Sequence, residues 1–237
     1  MLQINHLTKT YGDKTAVDDL SLSIEGGQIC AFIGHNGAGK TTTLRAVTGI
    51  LPFDRGEITV CGKDIVRAPL ECKKEMAYIP DNPDLYDYMT GHKYLQFVAD
   101  IYAVPTDVRQ KNISFYAEKF GMTGDLSLPI AAYSHGMKQK LSIIAAWIHS
   151  PKLILMDEPF VGLDPRAAHT VKEMMRDFCA HGGAIFFSTH VLEVAEKLCG
   201  RVAIIRGGKL VRFGRMEEVR GDESLEEVFF ELSGEDA

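Results

Sequence analysis

The chain is short of the features that mark secreted, membrane-spanning and nucleic-acid-binding proteins. Cysteines number only five in 237 residues, Cys30, Cys61, Cys72, Cys179 and Cys199, and they are odd in number, scattered and never at metal-ligand spacing. That excludes a disulfide framework and a cysteine-based zinc site; a reduced, cytoplasmic setting with the thiols as small core residues is expected. The longest apolar runs, such as 143–148, fall far short of the ~20 residues that span a bilayer, so nothing here is expected to cross a membrane alone. Asn5, His6 and Lys9 interrupt the N-terminus where a secretory signal needs an apolar core, and no such signal is expected. Positive charge is not in excess either: a formal net charge of −6 argues against a broad nucleic-acid footprint, and no nucleic-acid partner is expected. Repeats and low-complexity segments are absent. What is present is 46% hydrophobic residues, enough to bury the core of one domain with an inserted subdomain.

The most informative stretch is Gly34-His35-Asn36-Gly37-Ala38-Gly39-Lys40-Thr41-Thr42, a glycine loop followed by Lys and Thr. Residues 28–33 read as a short buried strand and 40–48 as the start of a helix, which puts the glycines at a strand-to-helix turn. There, successive backbone N–H groups and the positive end of the helix face one anion site. Lys40 then reaches the β- and γ-phosphates of a nucleotide as a point charge, and the Thr41 hydroxyl holds Mg²⁺. This loop alone does not choose among kinases, GTPases and transport ATPases.

Around it, residues 1–24 alternate apolar positions at Leu20, Leu22 and Ile24 and predict a small antiparallel sheet. Tyr11, beside Gly12 and Asp13, is exposed enough for its ring to stack on adenine. Residues 56–60 and 76–80 read as further strands, the second running into the turn residues Asp81-Asn82-Pro83-Asp84. Helical patterns follow at 90–101, with Tyr94, Leu95, Val98 and Ile101 apolar, and at 108–120, stopped by Gly121. Arg109 and Lys111 are expected to lie on a solvated helix face. Ser134 caps a helix over 135–149; 153–156 is a fully buried strand closed by Asp157-Glu158-Pro159. Asp164-Pro165 opens a helix that Gly182-Gly183 ends. Another buried strand, 184–187, is tipped by Ser188-Thr189-His190. An amphipathic stretch at 191–198, a hairpin over 201–213, and a last short helix after the Ser224/Glu227 capping box complete the chain.

Acids at the end of a buried parallel strand lie where such sheets bind ligands. Asp157 is placed to hold Mg²⁺ and Glu158 to orient and deprotonate an attacking water. His190, at a second strand tip, is a candidate contact for a γ-phosphate. Ser134 and Gly136 open a helix whose hydroxyl and N–H groups can face an anion, although each feature also has a purely architectural reading.

Taken in this order, the residues resemble the ATP-binding subunit of an ABC transporter over nearly the whole chain. Tyr11 is similar to that family's adenine-stacking aromatic, 34–42 to its P-loop, and Tyr133-Ser134-His135-Gly136-Met137 to its signature motif. Residues 153–158 resemble the Walker B strand with its catalytic glutamate, Gly162-Leu163-Asp164 the D-loop, and His190 the switch histidine. The resemblance implies an α/β P-loop NTPase fold with a mixed central sheet, an N-terminal antiparallel subdomain and a helical subdomain. It implies ATP and Mg²⁺ as ligands, with Asn36, Gly37, Ala38, Gly39, Lys40, Thr41 and Thr42 at the phosphates and Thr41, Asp157 and Asp81 near the metal. Two subunits, identical or paralogous, would sandwich ATP, with the signature (Ser134, His135, Gly136, Met137) and Asp164 serving the opposite subunit's site. An integral membrane permease would dock on the helical insert and the Asp81 loop, leaving the chain peripheral on the cytoplasmic face of the membrane. The expected organisation is one domain, with 1–81 and 140–214 as nucleotide-binding core, 82–139 as helical insert and 215–237 as C-terminal extension.

The Ser134 start and Glu158-Pro159-Phe160 resemble the export-type subfamily. Two features depart from the family pattern. His135 and Met137 stand where a glycine and a glutamine are usual, and Asp81 stands where the Q-loop glutamine falls. These put the ATPase rate in question and motivate a second reading, a non-hydrolysing ATP-binding regulatory module; a related soluble ATPase of the iron–sulfur assembly type is a further alternative.

Overall fold

A computed structural model describes residues 1–233. Strands β1 (Leu2–Tyr11), β2 (Lys14–Ile24), β4 (Arg55–Val60) and β5 (Lys63–Asp64) form an antiparallel sheet in the order β2-β1-β4-β5. The second sheet runs β10-β9-β3-β8-β7-β6, with β3 (Ile29–Ile33), β6 (Met76–Ile79), β7 (Leu153–Asp157), β8 (Ala184–Thr189) and β9 (Arg201–Arg206) parallel. Only β10 (Lys209–Arg215) is antiparallel, closing the expected hairpin with β9. The fold is the expected α/β arrangement with a mixed sheet and an N-terminal antiparallel sheet.

The period of two along β3 explains the layers. Cys30 and Phe32 face the antiparallel sheet, where they join Leu2, Ile4, Leu20, Ile58 and helix α1 (Lys40–Val47) in one core. Ile29, Ala31 and Ile33 face the other way, against helices α5 (His135–Ile148) and α6 (Pro165–Ala180). A parallel strand covered on both faces must be apolar at every position, and all five residues of β3 are buried.

Helices α3 (Gly91–Ile101) and α4 (Thr106–Lys119) occupy the segment read as helical from its periodicity. Thr90 caps α3 by accepting from the Lys93 N–H, and Gly121, at φ +64°, ends the α4 segment with the left-handed turn that glycine makes cheaply. Two details differ from expectation. Ile101 is exposed, because α3 buries Gly91, Leu95 and Ala99 instead. Arg109 is not solvated: it donates to the Val104 carbonyl (3.1 Å) and pairs with Asp100 (2.6 Å), tying α4 back to the end of α3, whereas Lys111 is exposed. Helix α5 is continuous across residues 139 and 140, so the chain passes from the insert to the sheet along one helix.

Helix α2 (Pro69–Glu75), with Pro at its start, had no apolar periodicity to announce it and buries only Cys72. Helix α7 (Leu192–Leu198) follows the tip of β8; α8 (Met216–Arg220), also unforeseen, and α9 (Leu225–Ser233) end the described chain. The Ser224/Glu227 box forms reciprocally, with Ser224 N–H to Glu227 at 2.7 Å and Glu227 N–H to Ser224 Oγ at 3.2 Å. Four of the cysteines are buried, and Cys61 is half-buried; all five are free thiols.

Where α5 ends, the His149 ring stacks on Tyr102 (3.6 Å between centroids, 12° between planes) and its Nε2 faces the Met76 carbonyl. Burial pushes its pKa down from 6.5 to about 4. Between those values the unfolded chain binds more protons than the folded one, so stability is full above about pH 6.5 and falls as the pH drops toward 4. His149→Phe, which keeps the stack and cannot titrate, is expected to flatten that part of a denaturant-unfolding profile. Equal losses in both proteins over this range would assign the effect to other groups.

Candidate functional site

The site lies at the C-terminal ends of β3, β7 and β8. Register aligns them: Asp157 sits opposite Ser188, and Ile33 opposite Thr189, so the glycine loop, the acidic pair and His190 leave the sheet at one level. Between them opens a cavity of about 320 Å³. Residues 35–37 and 39–42 form its floor, Asp81, Asp157 and Glu158 one side, and Tyr11 with Lys14 and Ala16 the other.

The loop is shaped by close backbone contacts. A side chain at Gly39, at φ +112°, would run into the Ala16 carbonyl of β2, and one at Gly34 would meet the Ile205 carbonyl at 2.5 Å. Glycine is required at both places by neighbours from different sheets. Gly37, at φ +79°, instead faces open space, which leaves the crest of the loop clear for a ligand. Ala38 is buried and held on both sides, its N–H donating to His35 and its carbonyl accepting from Gly208.

Lys40 is buried at 7% exposure, and its ammonium donates to the carbonyls of Gly34 (2.5 Å) and His35 (3.2 Å). Burial lowers its pKa, while Glu158 and Asp157 oppose that shift. Its charge is thus held over the loop by these two carbonyls, which a more strongly charged oxygen ligand can replace. Thr41 donates to Asp157 Oδ2 at 2.6 Å, and Ser188 Oγ donates to Asp157 Oδ1. Ser188 also accepts the Glu158 N–H (3.0 Å), fixing Glu158 in a left-handed backbone at φ +47°. The Glu158 carboxylate meets His190 Nδ1 at 3.0 Å. One hydroxyl and one adjoining carboxylate are hard oxygen donors suited to Mg²⁺, which takes few protein ligands and completes its shell with water and phosphate. No cluster of three or more His, Cys, Asp or Glu suited to a metal occurs among the described residues.

Tyr11, half-exposed at the β1–β2 turn with Lys9 5.3 Å from its ring, flanks the cavity. Asp81 is exposed, accepts the Asn82 N–H at 2.9 Å and lines the same cavity. The group at the start of α5 is not brought there. Ser134 caps α5 by accepting the Met137 N–H, and the helix start packs on the chain's own 162–164 turn. Gly136 leaves room only for the Gly162 carbonyl, the His135 ring lies over Gly162, and Lys140 pairs with Asp164 at 2.7 Å, which with the Ala167 N–H lowers the Asp164 pKa.

Sequence reasoning assigned no role to Ser188, Gln139, Lys14 or Ala16. A serine at the tip of a buried strand is a visible signal for Ser188. Gln139, fully buried in α5 and donating to the Pro159 carbonyl at 3.4 Å, looked like one more helix residue. Lys14 and Ala16 come from the other sheet, which no local pattern can reveal.

The ABC transporter family profile matches residues 17–161. The chain is 33% identical over 242 residues to the ABC-type transporter ATP-binding protein EcsA of Bacillus subtilis (strain 168), covering all of this chain and 98% of the relative. It is 34% identical over 214 residues to the linearmycin resistance ATP-binding protein LnrL of the same organism, covering 90% and 69% of the two chains. Among solved structures, an ATP-binding subunit of an ABC transporter superposes with a TM-score of 0.94 at 32% identity, over 98% of this chain and 99% of that one.

Ser188→Ala removes one of the two hydroxyl donors to a carboxylate that is 1% exposed. An under-bonded buried acceptor costs about 1–3 kcal/mol, and denaturant unfolding should show a loss of that size. A change below about 0.5 kcal/mol, the scatter of neutral substitutions, would show that Ser188 does not support Asp157.

Proposed function

The chain belongs to the ABC transporter family as an ATP-binding subunit, and on that premise we propose that it hydrolyses ATP in the cavity above residues 34–42, as one of a pair of subunits driving a separate membrane permease. The observation that carries the reading is the meeting, at one sheet edge, of a glycine-loop lysine, a hydroxyl–carboxylate pair and a Glu158–His190 couple.

In this reading the N–H groups of residues 37–42 and the start of α1 bind the triphosphate, and Lys40 exchanges its carbonyl partners for phosphate oxygens. Tyr11 stacks on the adenine. Thr41 and Asp157 would hold Mg²⁺, which when bound supplies positive charge against the phosphates. Glu158 orients a water and takes its proton as the water oxygen attacks the γ-phosphorus; the bond to the bridging oxygen breaks, leaving ADP and inorganic phosphate. His190 holds the Glu158 carboxylate and stands toward the developing charge. The start of α5, which does not line its own chain's cavity, would face the cavity of a second subunit, with Ser134, His135, Gly136, Met137 and Asp164 at that joint.

We further place the permease on the insert, taken as 82–139 within a single domain, where Tyr86, Tyr88 and Leu128 are exposed beside the Asp81 loop and Tyr86 packs edge-on to Phe97. Apolar and aromatic surface at one edge is what a docking face needs. A position on the cytoplasmic face of the membrane follows from such a partner. The relatives support this transporter setting over a soluble iron–sulfur assembly ATPase. Copurification from solubilised membranes should recover an integral protein.

Two variants test the chemistry. Lys40→Ala is expected to remove most ATP affinity, and an unchanged affinity would overturn the phosphate-loop assignment. Glu158→Gln is expected to keep ATP binding and slow turnover by ~10²-fold or more, the size of a lost general base. With hydrolysis blocked, ATP and Mg²⁺ should hold two subunits together on a sizing column. Turnover equal to that of the unaltered protein would remove Glu158 from the mechanism, and an unaltered protein that binds ATP without turnover would leave the regulatory-module reading.

A further inference from the structure

Helix α9, which the mechanism leaves idle, ends against the phosphate loop. The Phe229 ring lies 4.8 Å from the His35 ring, at 43° between planes, and His35 lines the cavity. His35 is also structurally central: its carbonyl accepts from both the Lys40 ammonium (3.2 Å) and the Ala38 N–H (3.1 Å). Any shift of residue 35 therefore moves the partners that hold the lysine charge and the crest of the loop.

The helix is fixed at both ends, as a brace must be. Leu225 and Val228 are buried in the core, and the Leu225 N–H reaches Glu196 of α7 (3.4 Å), itself paired with Arg220 at 2.7 Å. At the other end Arg206 donates to the Leu232 carbonyl at 2.7 Å. Arg206 precedes the Gly207-Gly208 turn, and Gly208 donates to the Ala38 carbonyl at 3.0 Å. Two routes thus run from α9 to the loop: Phe229 onto His35, and Arg206 through the turn onto Ala38.

We propose that Phe229 is a positioning residue for nucleotide, holding His35 so that the phosphate loop is set before the ligand arrives. The proposal rests on the cavity being the ATP site. A preset loop spends less of the binding energy on ordering itself, so the contribution falls on affinity for ATP and not on the chemical step.

The test measures ATP affinity, KM and kcat on the full chain for several variants. An aromatic pair contributes about 0.5–1.5 kcal/mol beyond burial, so Phe229→Ala should weaken ATP binding and raise KM by about two- to tenfold with kcat little changed. Phe229→Leu, which fills most of the volume without a ring, should do the same if the alanine variant folds poorly. Phe229→Tyr keeps the ring and should restore affinity. Glu226→Ala, on the same helix but exposed, should leave affinity unchanged. His35→Ala combined with Phe229→Ala should cost less than the sum of the two. Affinity retained in a folded Phe229→Leu variant, or equal losses in the Phe229 and Glu226 variants, would overturn the proposal. An unaltered protein with no measurable ATP binding, or affinity indifferent to Lys40→Ala, would instead overturn the nucleotide reading beneath it.

Discussion

One buried carboxylate, Asp157, holds the working edge of the molecule together. It is nearly inaccessible, and burying such a charge without partners costs far more than the folded state can spare. Both of its oxygens are therefore bonded to hydroxyls, Oδ2 to Thr41 at the start of α1 and Oδ1 to Ser188 at the end of β8. Three neighbouring segments are joined through a single side chain. Ser188 extends the connection to the Glu158 N–H, so the position of the proposed general base depends on the same network. Thr41 and Asp157 also line the cavity, so that in the proposed function one arrangement would serve stability without a metal and coordination with one.

The departures from the family pattern act locally. Met137 places its side chain, half-buried, against the core, while its N–H still completes the cap of α5. His135 lays its ring over Gly162, whose positive φ of +77° a larger residue would resist. The start of the helix keeps its shape, and an imidazole is added at a surface that glycine would have left bare. Asp81 is the more consequential change. It lines the same cavity as Asp157 and Glu158, where, in the proposed function, each added negative charge would work against a triphosphate unless a cation answers it.

The outer elements distribute mechanical roles around this edge. Helix α5 carries at its start the residues proposed to serve a second subunit and, through Gln139, contacts the segment that follows Glu158. The pairing of Lys140 with Asp164 ties the same helix to the turn before α6. On the opposite flank α9 reaches His35, and the β9–β10 turn reaches Ala38. The loop that is proposed to bind phosphate is thereby gripped by parts of the chain far downstream, Gly208 and Phe229.

Local chemistry was enough to read much of this. The buried runs 153–156 and 184–187, the Ser134, Asp164 and Ser224 caps, and the glycines of 34–42 each follow from forces acting within a few residues: two-sided burial, unsatisfied helix N–H groups, and backbone shapes that only glycine adopts. Helices α2 and α8 escaped notice because they are short and bury little, so no periodicity marks them. Arg109 was misread because its partners, Asp100 and the Val104 carbonyl, lie across a bend of the chain that charge patterning does not contain. The residue types of the site were legible for the same local reasons, but their convergence was not. That Lys14 and Ala16 of one sheet wall a cavity floored by the other, that Ser188 serves Asp157, and that Phe229 meets His35 are consequences of strand order and register, which arise only when the two cores close on either face of β3.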